Sequence, residues 1–261
     1  MNQSNMFTIE QRDDVLSLVF SRKDSLNILS RDTLEDLLLN LQELENRVLN
    51  DLSLRFLIIT GTGKAFLAGA DIKQMTDFTR EEAIAFSDLG NRIMNKIEHF
   101  PIPVIAAVNG HTMGGGMELL LACDVAVGVD KALFALPETS LALFPGFGGI
   151  QRLLSRISMA KAKEIVFSSR KLTAAEMKEM GILIDVVESE KLIERCDQLV
   201  DSFRRNGPSA IRYAKKLFNF YADMKSQDVE ASLFGEVCVG SEAKEGMSAF
   251  IERRKADWSK E

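Results

Sequence analysis

Histidine is scarce in this 261-residue chain, which carries only His99 and His111. No serine stands on a nucleophile elbow near either one, so the pattern gives no support to Ser–His nucleophilic catalysis. His99 reads as a surface or capping residue at the end of an amphipathic helix, and His111 as a loop or packing residue beside a glycine turn. Cysteine is scarce too. Cys123, Cys196 and Cys238 are far apart, odd in number and without metal-ligand spacing, which predicts reduced core thiols. No cluster of His, Cys, Asp or Glu has ligand spacing, so no metal is expected.

Excess positive charge is also missing. With 32 Lys and Arg against 38 Asp and Glu the formal net charge is -6, which argues against nucleic acid or an anionic membrane as partner, because both need clustered cations. No apolar stretch reaches membrane-spanning length, and Met1 to Glu10 lacks the basic flank and apolar run of a signal peptide. A soluble, cytoplasmic protein is the expectation. The phosphate-binding signatures fail as well: Ile58 stands where a P-loop needs its first glycine, and Gly63-Lys64 is followed by Ala65. Gly114-Gly115-Gly116 are consecutive, whereas a dinucleotide fingerprint spaces its glycines.

What is present is a core. At this length roughly three quarters of the unfolded surface is removed on folding, enough for one large domain. Val15 to Phe20 predicts a strand, and Ser30 caps a helix with Leu34, Leu37, Leu38, Leu41, Leu44 and Val48 along one face. Arg55 to Thr60 is a second strand, ending in the turn Gly61-Thr62-Gly63-Lys64. Residues 64 to 73 are small and apolar without period, which predicts a packed loop facing a ligand. A capping box at Thr79 to Glu82 opens a helix to about Glu98, and Phe100-Pro101-Ile102-Pro103 stops it. Then come a strand to Val108, a glycine turn, a helix, and a strand from Asp124 to Val129. The alternation of strand and helix predicts an α/β fold with crossover connections.

From Ala132 to Gly149 the chain offers a carboxylate after a proline, then a glycine-rich bend leading into a helix. Helices dominate afterwards: Ser158 to Ser168, a second capping box at Thr173 to Glu176 with a stop at Gly181, and helices near 190 to 205, 209 to 222 and 226 to 253. Only Leu183 to Val187 resembles a strand there. The break at Asn206-Gly207-Pro208 separates an α/β core, residues 1–200, from a helical C-terminal region, residues 201–261.

Two glutamates carry the chemistry on offer. Glu118 lies in the first turn of the helix that follows Gly114-Gly115-Gly116, and Glu138 follows Pro137. Each is surrounded in sequence by apolar residues and glycines with no basic neighbour, and burial of that kind raises a carboxyl pKa toward neutrality. Free N–H groups at the helix start add a place for developing negative charge. The residues alone leave open the plainer alternatives, a carboxylate favouring a helix N-terminus and a loop carboxylate.

Four ordered motifs bear a resemblance across nearly the whole chain. They are Gly61-Thr62-Gly63-Lys64-Ala65-Phe66-Leu67-Ala68-Gly69-Ala70-Asp71-Ile72; Asn109-Gly110 through Gly114-Gly115-Gly116-Met117-Glu118 and Cys123-Asp124; Pro137-Glu138 with Pro145-Gly146-Phe147-Gly148-Gly149; and Glu245-Gly246 with Ala249-Phe250. With them the chain resembles the enoyl-CoA hydratase/isomerase, or crotonase, superfamily. The resemblance implies a spiral of ββα turns, then a helical C-terminal region that serves oligomerisation and covers the active site, assembled as trimers or pairs of trimers. It implies a coenzyme A thioester as substrate and no cofactor beyond it, with the thioester oxygen held by the N–H groups of Ala70 and Gly115.

In the hydratase branch the residue matching Glu118 activates a water, and the one matching Glu138 exchanges the proton at the α-carbon. Gly146 matches a loop glycine near that water. Ala68, Asp71, Ile72 and Lys73, with Gly114 and Gly115, fall where the substrate and its coenzyme are cradled, and the stretch from Met75 to Phe86 borders the acyl pocket. Leu136, Ala142 and Ile28 depart from the usual family pattern, which leaves acyl preference open. The run Arg253-Arg254-Lys255 reads as a solvated helix end or a coenzyme phosphate contact. The rival functions are double-bond isomerisation or another enolate chemistry in the same family, and a catalytically idle CoA- or RNA-binding scaffold.

Overall fold

The computed structural model describes residues 6–21, 26–76 and 78–223, together with positions 241, 245, 252, 254, 255 and 257. Most of the helix expected near 226 to 253, the Gly246 and Ala249-Phe250 part of the last motif, Cys238 and Arg253 lie outside the described residues.

The chain begins with an antiparallel hairpin, β1 (Phe7–Arg12) and β2 (Val15–Phe20), in which Arg12 pairs with Val15 around Asp13 and Asp14. Asp13 takes a left-handed φ of 54°, which the short polar side chain tolerates. Strand β1 is not anticipated in the sequence reading, because only its first residue, Phe7, is fully buried. Helix α1 (Arg31–Asn50) starts where Ser30 accepts the Thr33 N–H, and it buries the leucine face that its spacing predicts. The chain then returns through β3 (Phe56–Gly61), parallel to β2 with Val15 opposite Phe56.

From β3 onward one unit repeats. A strand joins a large sheet, the chain turns, a short strand joins a second sheet, and helix follows. The first unit is β3, β4 (Ala65–Leu67), α2 (Ile72–Met75) and α3 (Arg80–Glu98), the last opened by the predicted capping box of Thr79 and Glu82. The second is β5 (Val104–Val108), β6 (His111–Met113) and α4 (Gly115–Ala122). The third is β7 (Val125–Val129), β8 (Leu133–Ala135), a 3-10 turn at Glu138–Leu141, α5 (Gly149–Leu154) and α6 (Met159–Ser168).

The chain closes with β9 (Leu172–Thr173), α7 (Ala174–Glu179), β10 (Asp185–Val187), α8 (Leu192–Arg204) and α9 (Pro208–Asp223). The strand orders are β1-β2-β3-β5-β7-β10 in the six-stranded sheet and β4-β6-β8-β9 in the four-stranded one. Both sheets advance by one strand per turn of chain, which is the ββα spiral.

Other details differ from the sequence reading as well. Residues 64 to 73, expected as loop, hold β4 and the one-turn helix α2. The glycine turn after β5 is split by β6 before its helix begins. Strands of three residues carry too few side chains to display a period, and they exist because neighbouring turns of the spiral supply their hydrogen-bond partners. The strands of the middle are buried on both faces: every residue of β5 is inaccessible, as a parallel strand between helical layers requires.

The break at 206–208 falls between α8 and α9, while residue 200 lies inside α8. Helix α9 is tied to the sheet by Lys215, whose Nζ lies 2.7 Å from Asp124 Oδ2 and donates to the Ile102 carbonyl at 3.0 Å. Among the described residues no helix is long and apolar enough to cross a membrane.

Candidate active site

The second ββα unit delivers the first carboxylate. Gly114, with φ 51° and ψ −121°, makes the turn into α4, a conformation that residues with a Cβ rarely adopt. The missing side chain also makes room, since a Cβ there would stand 3.1 Å from Glu138 Oε1. One turn later Glu118 is 2% exposed inside a helix that is buried all round. Its Oε1 accepts two backbone N–H groups, from Phe147 at 2.8 Å and Gly149 at 2.9 Å. A Cβ on Gly149 would come within 2.8 Å of that oxygen, so the loop approaches this closely only as glycine. Burial raises the Glu118 pKa, and the two N–H groups, with the charge of Arg152, oppose that rise.

The third unit delivers the second. Glu138 opens the 3-10 turn after Pro137, and its Oε2 is buried with no hydrogen-bond partner among the described residues. Burial pushes its carboxyl up to about 7, with the nearby Glu118 charge adding to the rise. The turn ends on Ala142 at φ 58°, a left-handed conformation that glycine would hold without strain.

Both glutamates face one cavity of about 290 Å³, whose wall also includes Ala68, Ala70, Ile72, Gly114, Gly115 and Gly146. Of the residues singled out in the sequence, Asp71 and Lys73 are not in the wall. Asp71 caps α2 instead, accepting the N–H of Lys73 at 3.1 Å, and Lys73 is exposed. Ala70 bridges Leu29 in parallel: Leu29 donates to the Gly69 carbonyl at 2.8 Å, and Asp71 donates to the Leu29 carbonyl at 3.1 Å. In that pattern the N–H of Ala70 points away from Leu29. Gly115 is the first residue of α4, a position whose N–H has no partner within the helix.

The far wall is aromatic and aliphatic. Phe78, Phe86 and Phe147 form a chain with successive centroids 5.4 Å apart, and Met75 and Ala83 lie beside them. Met75, Phe78, Ala83 and Phe86, from the stretch expected to border an acyl pocket, line this cavity. In the sequence Phe147 stands inside a glycine-rich motif, and its place in this wall is set by the fold.

The loop from 146 to 149 rests on residues that the sequence reading did not single out. Ser87 Oγ and Asn91 Nδ2 donate to the Gly146 carbonyl at 2.6 and 2.8 Å. Arg152, 2% exposed, donates through Nη1 to the Phe147 carbonyl at 3.0 Å, through Nη2 to Asn95 Oδ1 at 2.5 Å and through Nε to Glu98 Oε2 at 2.9 Å. The signal was there as spacing, since Ser87, Asn91, Asn95 and Glu98 recur at helical intervals on α3.

The remaining candidates hold ordinary roles. His99 is the C-cap residue of α3, with Nδ1 2.9 Å from the Asn95 carbonyl. His111 is exposed and accepts the Leu133 N–H. Cys123 and Cys196 are free and buried, Arg254 pairs with Glu245 and Glu252, and no group of three potential metal ligands exists among the described residues.

Relatives carry the same architecture. The sequence profile of the enoyl-CoA hydratase/isomerase family matches residues 10–261. The chain is 34% identical over 257 residues to the short-chain-enoyl-CoA hydratase of Clostridium acetobutylicum, covering 97% of each chain. It is 35% identical over 254 residues to the crotonyl-CoA hydratase of Syntrophomonas wolfei, covering 96% of each. The crystal structure of enoyl-CoA hydratase from Bacillus anthracis superposes with a TM-score of 0.89 at 32% identity, over 98% of this chain and all of that one. By sequence along nearly its whole length and by fold, the chain belongs to the enoyl-CoA hydratase/isomerase family.

Proposed function

We propose that this protein is a hydro-lyase that adds water reversibly to a 2-enoyl-CoA thioester, giving the 3-hydroxyacyl-CoA. The observation that carries the reading is the convergence of two unlike carboxyls, Glu118 and Glu138, on one apolar cavity beside the Ala70 and Gly115 amides. The relatives named as hydratases support it.

In this reading the thioester oxygen lies between the N–H groups of Ala70 and Gly115. Attack at C3 drives negative charge onto that oxygen, and each preorganised donor there is worth about 3 kcal/mol in the transition state. Glu118, held by two N–H groups on Oε1, acts as the base that takes a proton from water as its oxygen bonds to C3. Electron density moves to the thioester oxygen and returns as C2 takes a proton from Glu138. Water then carries the proton from Glu118 back to Glu138. No cofactor enters: the coenzyme A arrives with the substrate, cradled by the 68–73 segment and the glycine turn, with Gly146 beside the water. The resemblance also supports assembly as a trimer or a pair of trimers, and large exposed apolar side chains such as Phe167 and Phe218 offer surface for it. The free, buried thiols of Cys123 and Cys196 support a cytoplasmic setting.

The test follows the absorbance of the conjugated double bond of crotonyl-CoA. The wild type should bleach it by adding water, whereas an isomerase would leave the conjugation in place. Glu118→Gln and Glu138→Gln should each lower hydration by about 10²- to 10⁴-fold while CoA-ester binding is retained. Undiminished turnover in both variants rejects the assignment, and tight RNA binding without turnover of any acyl-CoA would favour the scaffold reading.

A further inference from the structure

The loop that donates to Glu118 is fixed peptide by peptide. In the unit joining Gly146 to Phe147, the carbonyl accepts from Ser87 and Asn91, and the N–H at its other end donates to Glu118. In the unit joining Gly148 to Gly149, the carbonyl accepts the Arg152 N–H at 3.2 Å, and the N–H donates to Glu118. Between them, the Phe147 carbonyl is held by the Arg152 guanidinium, which Asn95 and Glu98 anchor in turn. A Cβ on Gly148 would overlap that guanidinium. A peptide plane is rigid, so fixing its oxygen end aims its N–H end. The oxygen ends are all held from one polar stripe on α3 and from α5, while the N–H ends that reach Glu118 converge on a single oxygen.

We propose that Ser87, Asn91 and Asn95 of α3, with Arg152 of α5, are positioning residues for the reaction: they hold the 146–149 loop as a two-N–H clamp that fixes Glu118 as the base. The proposal rests on the hydratase reading above and adds the machinery that aims its base.

The charged groups facing Glu118 are few. Arg152 comes from α5 and Glu138 from the 138–141 turn. Glu98 on α3 is engaged by Arg152, β4 has no titratable side chain, and His111 on β6 is exposed and bonded to Leu133. Loss of the clamp removes donors that favour the charged form of Glu118, so its pKa rises and the acid limb of activity moves to higher pH.

The experiment is a double-mutant cycle between Asn91→Ala and Glu118→Gln, with crotonyl-CoA hydration as readout. Asn91→Ala should lower kcat by about tenfold with KM within about threefold, and shift the acid limb of the kcat/KM profile up by about one pH unit. Placed on Glu118→Gln, the same change should cost less than about twofold, because the base it aims is already gone. Arg152→Lys, which keeps the charge and loses the fork, should recover activity over Arg152→Gln; Ser87→Ala, which deletes one hydroxyl, serves if Asn91→Ala fails to fold by circular dichroism. An active wild type whose acid limb does not move in these variants, or a full multiplicative loss in the double variant, overturns the proposal alone. An inactive wild type overturns the hydratase reading with it.

Discussion

Glu118 and Glu138 share a cavity but not an environment. Two backbone N–H groups satisfy one oxygen of Glu118, whereas Oε2 of Glu138 is buried without a partner among the described residues. An unpartnered buried carboxylate is costly, and the group answers by holding its proton. The consequence reaches stability. The carboxyl of Glu138 titrates near 7 when folded against an ordinary value of 4.5, so the folded chain binds a proton that the unfolded chain releases between those pH values. Its contribution to stability is full below 4.5 and is lost as pH rises through about 7. Glu138→Gln carries no such titration. Thermal melts should therefore show wild type and variant close together at pH 5 and the variant melting higher at pH 8, and a gap independent of pH would refute this account.

At the scale of the element, α3 has two jobs, and its glycine shows how they meet. Gly90 stands mid-helix, where alanine is ordinarily better by about 1 kcal/mol. Here a Cβ would overlap the ring of Phe147. Overpacking of that kind costs about 1–3 kcal/mol, which outweighs the helix gain. The displaced ring belongs to the cavity wall, and its residue donates to Glu118. Gly90→Ala is expected to lower both the melting temperature and kcat/KM for hydration, so a more stable variant with unchanged kinetics would show that the ring yields without consequence. Helix α3 is thus predictable as a helix from Thr79-Glu82 and its apolar face. What its polar face holds is decided by the 146–149 loop, two units of the spiral away.

Across the whole molecule, α9 is fastened to the spiral by an ion pair between buried Lys215 and partly exposed Asp124, and by Arg212 and Asn219, which donate to the Leu54 and Glu98 carbonyls. Lys215 Nζ meets Asp124 Oδ2 at 2.7 Å, and the same oxygen accepts the Val104 N–H at 2.7 Å. Burial pushes the Asp124 carboxyl up and the Lys215 ammonium down, each opposed by the other's charge. Removing Lys215 leaves a carboxylate that is partly exposed and still accepts the Val104 N–H, so the cost is about 1–3 kcal/mol, below that of a fully buried pair, while replacing both with apolar groups costs less. Urea denaturation of Lys215→Met should accordingly show a loss of about that size, much of it recovered in Asp124→Leu/Lys215→Met. Equal losses in the single and double variants would place the energy in packing instead of in charge.

The chain's own chemistry determined the periodic parts: the leucine face of α1, the capping boxes of α3 and α7, and the apolar runs of β3, β5 and β7, because 3.6- and 2-residue periods and cap hydrogen bonds are local. The two glutamates were legible for a related reason, being carboxylates among glycines and apolar residues where charge is poorly served. The short strands β4, β6 and β8 were not legible, since their partners lie in neighbouring turns of the spiral. Neither were the donors to Glu118, which come from residues 147 and 149 and are aimed by residues 87, 91 and 152. A carboxylate's burial can be inferred from its neighbours in sequence. Which N–H groups reach its oxygen is settled only when the spiral brings α3, α4 and α5 together, because a hydrogen bond is set by distance in space and not along the chain.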